Sequence, residues 1–231
     1  MTRQHLRATV NRLVDPVLQP ALIVLCLVPL TRAVLALFGI AGSLGANPVE
    51  ELLNRAGIWG LNLLLLTLAV TPVRELTGAQ ALGRLRRTLG LYAFAYVCLH
   101  LTVYITLDRA LELGTIAQDI IKRPYITIGM LAFTALLPLA VTSTNGMRRR
   151  LGRWWRRLHW LIYPIALLGV THYLWQVKQD LRNPLLYAGA LALLLAYRVW
   201  RRLRRRHGGV ATRAPSGRRS PARQRSTPLP G

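Results

Sequence analysis

Three histidines stand inside apolar sequence: His100 in "GLYAFAYVCLHLTVY", and His159 and His172 at the two ends of "HWLIYPIALLGVTH". An ionisable side chain is expensive in a lipid-facing helix, so its default reading is functional; the plain alternative is an imidazole donating to a backbone carbonyl of a neighbouring helix. Neutral imidazole ligates iron well, and two imidazoles at one depth on different helices can hold both axial positions of a haem. All eight Asp and Glu lie outside the apolar runs. That absence counts against a small membrane transporter, because ion- and proton-coupled carriers usually keep carboxylates within the bilayer. Cys26 and Cys98 lie in separate apolar runs without CxxC spacing, which excludes an iron–sulfur or zinc site built from cysteines. His5 and His207 lie in polar termini and call for no role.

The elements that must position these histidines follow from the apolar runs. The 231 residues are 52% hydrophobic yet carry a formal charge of +23. A soluble domain rarely combines the two, whereas a membrane protein with arginine-rich ends does. The runs are continuously apolar and rich in Leu and Ala instead of alternating, so they predict helices and not a barrel. Six spans are expected, at about 20–40, 57–72, 88–107, 125–141, 158–175 and 184–200. The expected fold is all-α, an integral membrane six-helix bundle over 20–206, with a short N-terminal segment at 1–19. "NPVE" from Asn47 supplies an N-cap, a first-turn Pro and a Glu at N3, so the second helix should start well before its apolar part; "NP" at Asn183 repeats the first two signals. The first apolar run is broken by Arg32 and exceeds a signal peptide's apolar region, which favours a retained helix.

Orientation follows from the cations. Of the 31 Lys and Arg, 24 fall in 1–19, 73–87, 142–157 and the stretch from Arg198; six fall in the alternate loops 41–56, 108–124 and 176–183; Arg32 is the last. The positive-inside rule then puts both termini of this expected inner-membrane protein in the cytoplasm. Trp59, Trp154, Trp155, Trp160, Trp175 and Trp200 all lie near span ends, where amphipathic rings favour the headgroups. Because the arginines cluster between apolar runs, the basic charge reads as topology and not as nucleic-acid binding. Residues 207–231, rich in Arg, Pro, Ser and Gly, read as a disordered basic cytoplasmic tail. No internal repeat is evident.

With this orientation His100 lies about 12 residues, roughly 18 Å, beyond the cytoplasmic end of its span. His172, three residues before Trp175, lies in the same periplasmic half, so His100 and His172 form the expected axial pair. His159 sits about 20 Å lower by 13 residues of rise, and about 220° around an ideal helix from His172. A haem at that level needs a ligand 13–14 residues before His100, where Arg86 and Arg87 stand. His159 is thus a second ligand, a flavin neighbour or an interfacial residue beside Trp160. Arg32, the one charge well inside a span, either snorkels or meets a haem propionate.

The stretches "RRTLGLYAFAYVCLHLTVY", "RPYITIGM" and "TSTNGMRRRLG", with the six-span layout over about 15–205, resemble the MsrQ (formerly YedZ) family. These are haem-binding membrane subunits of the bacterial periplasmic methionine-sulfoxide reductase system, within the ferric-reductase-like transmembrane domains. The resemblance implies a b-type cytochrome that carries electrons from the quinone pool, or a cytoplasmic flavin reductase, to the periplasmic molybdopterin reductase MsrP, which repairs methionine sulfoxide. It also implies haem b and FMN, with His100, His159 and His172 as haem ligands. Arg84, Arg86, Arg87 and Arg148 at the cytoplasmic face would suit a flavin phosphate or a haem propionate. The chain lacks G-x-G-x-x-G and any soluble flavin–nicotinamide domain, so electrons must arrive from elsewhere. Reduction of the final substrate falls to the partner, and the 108–124 loop is the expected docking surface. A quinone-coupled haem b subunit serving another oxidoreductase would use the same histidines.

Overall fold

Leu- and Ala-rich runs satisfy their own backbone hydrogen bonds as helices, and the computed structural model is helical, with no strand among the described residues. It describes residues 3–40, 42, 44–177 and 180–208. The chain divides into two compact units, 1–195 and 196–231.

Helices α1 (Arg3–Leu13) and α2 (Gln19–Leu37) run into each other through a π turn, Val14–Leu18. Pro16 lies in that turn; without an N–H it cannot bond the carbonyl four residues back, and the ladder widens there. The first helix therefore begins well before the expected residue 20 and ends at Leu37. Helix α3 (Pro48–Thr77) starts where the cap signal placed it: the Asn47 side chain accepts from the Glu50 N–H at 3.3 Å. It ends at Gly78, whose φ of 73° terminates the helix in the left-handed region.

A short 3-10 turn (Gln80–Arg84) leads into α4 (Leu85–Val103), which continues as a π turn, Tyr104–Asp108. The segment expected as a plain loop at 108–124 folds mostly as α5 (Leu113–Lys122), followed by α6 (Pro124–Val141). Two short helices, α7 (Asn145–Leu151) and α8 (Arg153–Leu158), fill the arginine-rich connection. The fifth expected span is not one helix: a 3-10 turn at His159–Leu161 separates α8 from α9 (Ile162–Gln176). Pro164 accounts for the break, since its ring would clash with the carbonyl of Trp160 in a continuous helix. Helix α10 (Arg182–Gly208) starts before Asn183, so Asn183 is not its N-cap; the Arg182 N–H instead bonds the Asp180 carboxylate at 3.0 Å. The basic tail lies outside the described residues from 209 onward.

Among the described residues, four helical stretches are long and apolar enough to cross a membrane, against the six spans expected: Ala8–Leu37, Pro48–Thr77, Gln80–Asp108 and Pro124–Val141. Half of the apolar 18-residue window of α3 is buried, against 17% for the corresponding windows of the first and the last stretch. Helix α3 thus forms the interior, with Leu61, Leu64, Leu65 and Leu68 packed among Leu89, Ala93 and Tyr96 of α4, and Ile165, Ala166 and Val170 of α9. Val24, Leu25 and Phe38 are more than half exposed, as lipid-facing residues are. In the second unit Arg204 lies over the Trp200 ring, 4.4 Å from its centroid.

Candidate functional site

Two helix pairs carry the two histidines of the expected axial pair, and each locks its imidazole in the same way. His100 on α4 points at α3, where its Nδ1 lies 2.9 Å from the Leu53 carbonyl oxygen. His172 on α9 points at α6, where its Nδ1 lies 2.6 Å from the Tyr125 carbonyl oxygen. A carbonyl only accepts, so in both rings Nδ1 carries the proton and Nε2 keeps a free lone pair, the tautomer a metal ligand needs.

These carbonyls belong to helical residues and already accept within their helices, so the histidines use the second lone pair. The side chain one turn on would normally shield that approach. Here it is glycine both times: a Cβ at Gly57 would come within 3.0 Å of the His100 ring, and one at Gly129 within 2.9 Å of the His172 ring. The interval from acceptor to histidine is 47 residues in each case. The two clamps are thus built at the same interval along the chain.

The two rings face one cavity of about 320 Å³, bounded by α3, α4, α6 and α9. Their centroids are 6.2 Å apart and their planes meet at 85°. With a metal–imidazole bond of about 2 Å and about 1.1 Å from that nitrogen to the ring centre, two rings sharing one ion lie about 6.2 Å apart. Leu61, Ala93, Phe133 and Ile165 supply an apolar wall, and Asn54 and Gln176, 3.3 Å apart, close one side. Among the described residues no three His, Cys, Asp or Glu side chains gather to hold a bare metal ion. Two imidazoles suit instead an iron whose other four positions are filled by a macrocycle.

Residues 56–170 match the model of the "Ferric reductase like transmembrane component" family. The chain is 56% identical over 173 residues to the "Protein-methionine-sulfoxide reductase heme-binding subunit MsrQ" of Xanthomonas campestris pv. campestris (strain 8004), covering 75% of this chain and 79% of that one. The subunit of the same name from Rhodospirillum rubrum is 53% identical over 197 residues, covering 85% and 92%. The chain belongs to the MsrQ family. No solved structure matches it.

In this member of the MsrQ family the remaining residues singled out by the sequence lie elsewhere. His159 does not line the cavity. Its ring stacks on Trp155 at 3.9 Å, and its Nδ1 is bonded to the Trp155 carbonyl at 3.0 Å, one turn back. Arg32 is exposed and also outside the cavity lining. Arg84 pairs with Asp15, Arg86 donates to the Thr71 hydroxyl at 2.6 Å, and Arg87 donates to the Asn145 side chain at 3.0 Å at the start of α7. Arg148 is exposed on α7.

What sequence reading missed in the MsrQ cavity is its polar mouth. Tyr104, Asp108, Arg109, Arg123 and Tyr125 line it, and they come from the 104–125 stretch that folds as π turn, α5 and the start of α6. Buried Asp119 organises them: its carboxylate meets Arg109 Nε at 2.6 Å and Arg123 Nε at 3.0 Å, and accepts from the Tyr104 hydroxyl at 3.0 Å. A hydrogen bond with Tyr104, joined by the negative charges of Asp108 and Asp119 and opposed by burial, holds the Arg109 pKa above its ordinary value. The glycines left a detectable signal, since Gly57 precedes His100 by the interval at which Gly129 precedes His172.

Proposed function

We propose that the chain is a b-type cytochrome of the inner membrane, with His100 and His172 as the axial ligands of one haem b. The observation that carries this is the pair of imidazoles 6.2 Å apart across one cavity, each with Nδ1 tied to a carbonyl and Nε2 free. Support comes from the relatives, whose printed names describe a heme-binding subunit. A haem bound there supplies one-electron carriage.

The chain's own residues do the rest. Leu53 and Tyr125 orient the imidazoles and raise their basicity as ligands by accepting the Nδ1 protons. Gly57 and Gly129 leave the room that this approach requires. Leu61, Ala93, Phe133 and Ile165 keep water from the iron position, which holds the local dielectric low.

In the cell this subunit passes electrons from the quinone pool, or from a cytoplasmic flavin reductase, to the periplasmic molybdopterin reductase MsrP for repair of methionine sulfoxide. With six spans, the distribution of Lys and Arg supports both termini in the cytoplasm and the cavity in the periplasmic half. FMN is the second cofactor, with Arg84, Arg86, Arg87 and Arg148 as the basic residues nearest the cytoplasmic face for its phosphate. His159, held by Trp155, is the axial residue of a second haem only if its partner is not a histidine of α4.

The test is an optical spectrum of protein purified from haem-supplied cells, oxidised and dithionite-reduced. A Soret band and a sharp reduced α-band are expected; their absence would sink the cytochrome reading. Electron delivery from the reduced protein to purified MsrP tests the partner, and no transfer there would leave a haem b subunit serving another oxidoreductase.

A further inference from the structure

The mouth cluster has a construction that docking α5 onto its neighbours does not require. One buried carboxylate, Asp119, forms ion pairs with both arginines, its oxygens 2.6 and 3.0 Å from the two Nε atoms. Arg109 also has Asp108 3.5 Å from the same Nε, and Arg123 reaches the Tyr125 hydroxyl through one Nη at 3.4 Å. A guanidinium has five N–H donors in a planar fork. Ion pairing with one carboxylate gathers the two guanidinium groups beside the cavity, where their N–H donors can meet other planar acceptors, a pairing that suits carboxylates. Both arginines line the cavity that holds the two imidazoles, whereas Asp119, which braces them, does not. Asp108 and Asp119 balance the two cations in formal charge, so the mouth attracts through directed N–H groups more than through net charge. Apart from these arginines and Asp108, the lining has no fixed charge.

We propose that Arg109 and Arg123, braced by Asp119, receive the two propionate carboxylates of the haem and thereby fix which way round the ring lies in the cavity. The proposal rests on the haem reading above, and it moves the propionate role from Arg32 to the 108–124 segment. With the carboxylates directed to the mouth, the vinyl edge of the ring faces the apolar wall of Leu61, Ala93 and Ile165. Asp119 is a positioning residue that acts through the two arginines.

The experiment compares uptake of haem b and of its dimethyl ester, in which both propionates are blocked, by apo-protein in detergent, with the low-spin Soret band as readout. The native chain should prefer haem by about tenfold or more, the scale of lost hydrogen bonds to charged groups. Arg109→Gln/Arg123→Gln should bind the two alike and show a lower midpoint potential, because two cations beside the iron site are gone. Arg109→Lys/Arg123→Lys should keep the higher potential and part of the preference. Should the double glutamine protein fail to fold, Arg123→Gln alone, at the more exposed position, should reduce the preference. Equal uptake of haem and ester by the native chain would overturn the proposal and leave the cytochrome reading standing. An undiminished preference in the folded glutamine variants would overturn it too, by showing that the carboxylates are read elsewhere. Failure of the native chain to take up any haem would remove the cytochrome reading and the proposal together.

Discussion

The helix pairs α3–α4 and α6–α9 present the same clamp within different frames. In each, a histidine on the second helix reaches a carbonyl on the first, 47 residues earlier, over a glycine one turn beyond that carbonyl. The frames share little. Helix α3 is 30 residues long and capped by Asn47, and Leu53 lies in its second turn. Helix α6 has 18 residues and no side-chain cap, and Tyr125 lies in its first turn, behind α5 and the Asp119 cluster. On the inner side α4 is entered directly from the 3-10 turn at Gln80–Arg84, whereas α9 follows the break at His159–Leu161. The position matching His159 in the first pair, at the interval that relates His172 to His100, is Arg87. The comparison teaches that the geometry of each imidazole depends on three residues per pair, and that the resemblance stops before a second pair of imidazoles can form.

The strongest attempt to break this equivalence is to remove either of the two imidazoles proposed as ligands. His100→Ala and His172→Ala should each abolish the low-spin spectrum, and a variant that keeps it would show that the two pairs do not share one iron.

A smaller effect separates the glycines. Gly57→Ala and Gly129→Ala should each weaken haem binding by about 10- to 100-fold, the scale for losing a partner that orients a ligand. Gly129→Ala should be the worse of the two, because the added carbon meets two atoms of the His172 ring at 2.9 Å and the imidazole is held more tightly there. Haem titrations of the two variants rank them; a harmless Gly129→Ala would mean that the close approach is not needed.

His159→Ala should spare the spectrum of the axial pair and the haem-to-protein ratio. It should lower thermal stability by about 0.5–1.5 kcal/mol through loss of the stack on Trp155. A halved ratio would place a second haem on His159.

The smallest effect concerns the frame of the first pair. Asn47→Ala should cost about 1 kcal/mol by removing the cap of α3. Thermal unfolding should register it while the spectrum stays put, since Leu53 lies beyond the capped turn.

Much of this was legible in the sequence alone. Unbroken apolar runs determined helices, because in lipid a backbone must satisfy itself. The histidines stood out as ionisable residues within apolar runs. "NPVE" marked the start of α3 because a cap is local chemistry, read within four residues. Only the tertiary structure decided which carbonyl each imidazole meets, since that depends on how closely two helices approach, which periodicity leaves open. It left His159 outside the cavity lining, at a break over His159–Leu161, and folded 108–124 so that Asp119 could gather Arg109 and Arg123 at the mouth. Those residues look like ordinary loop charges in sequence. Their meaning comes from converging on one carboxylate, and convergence of distant residues is what folding adds.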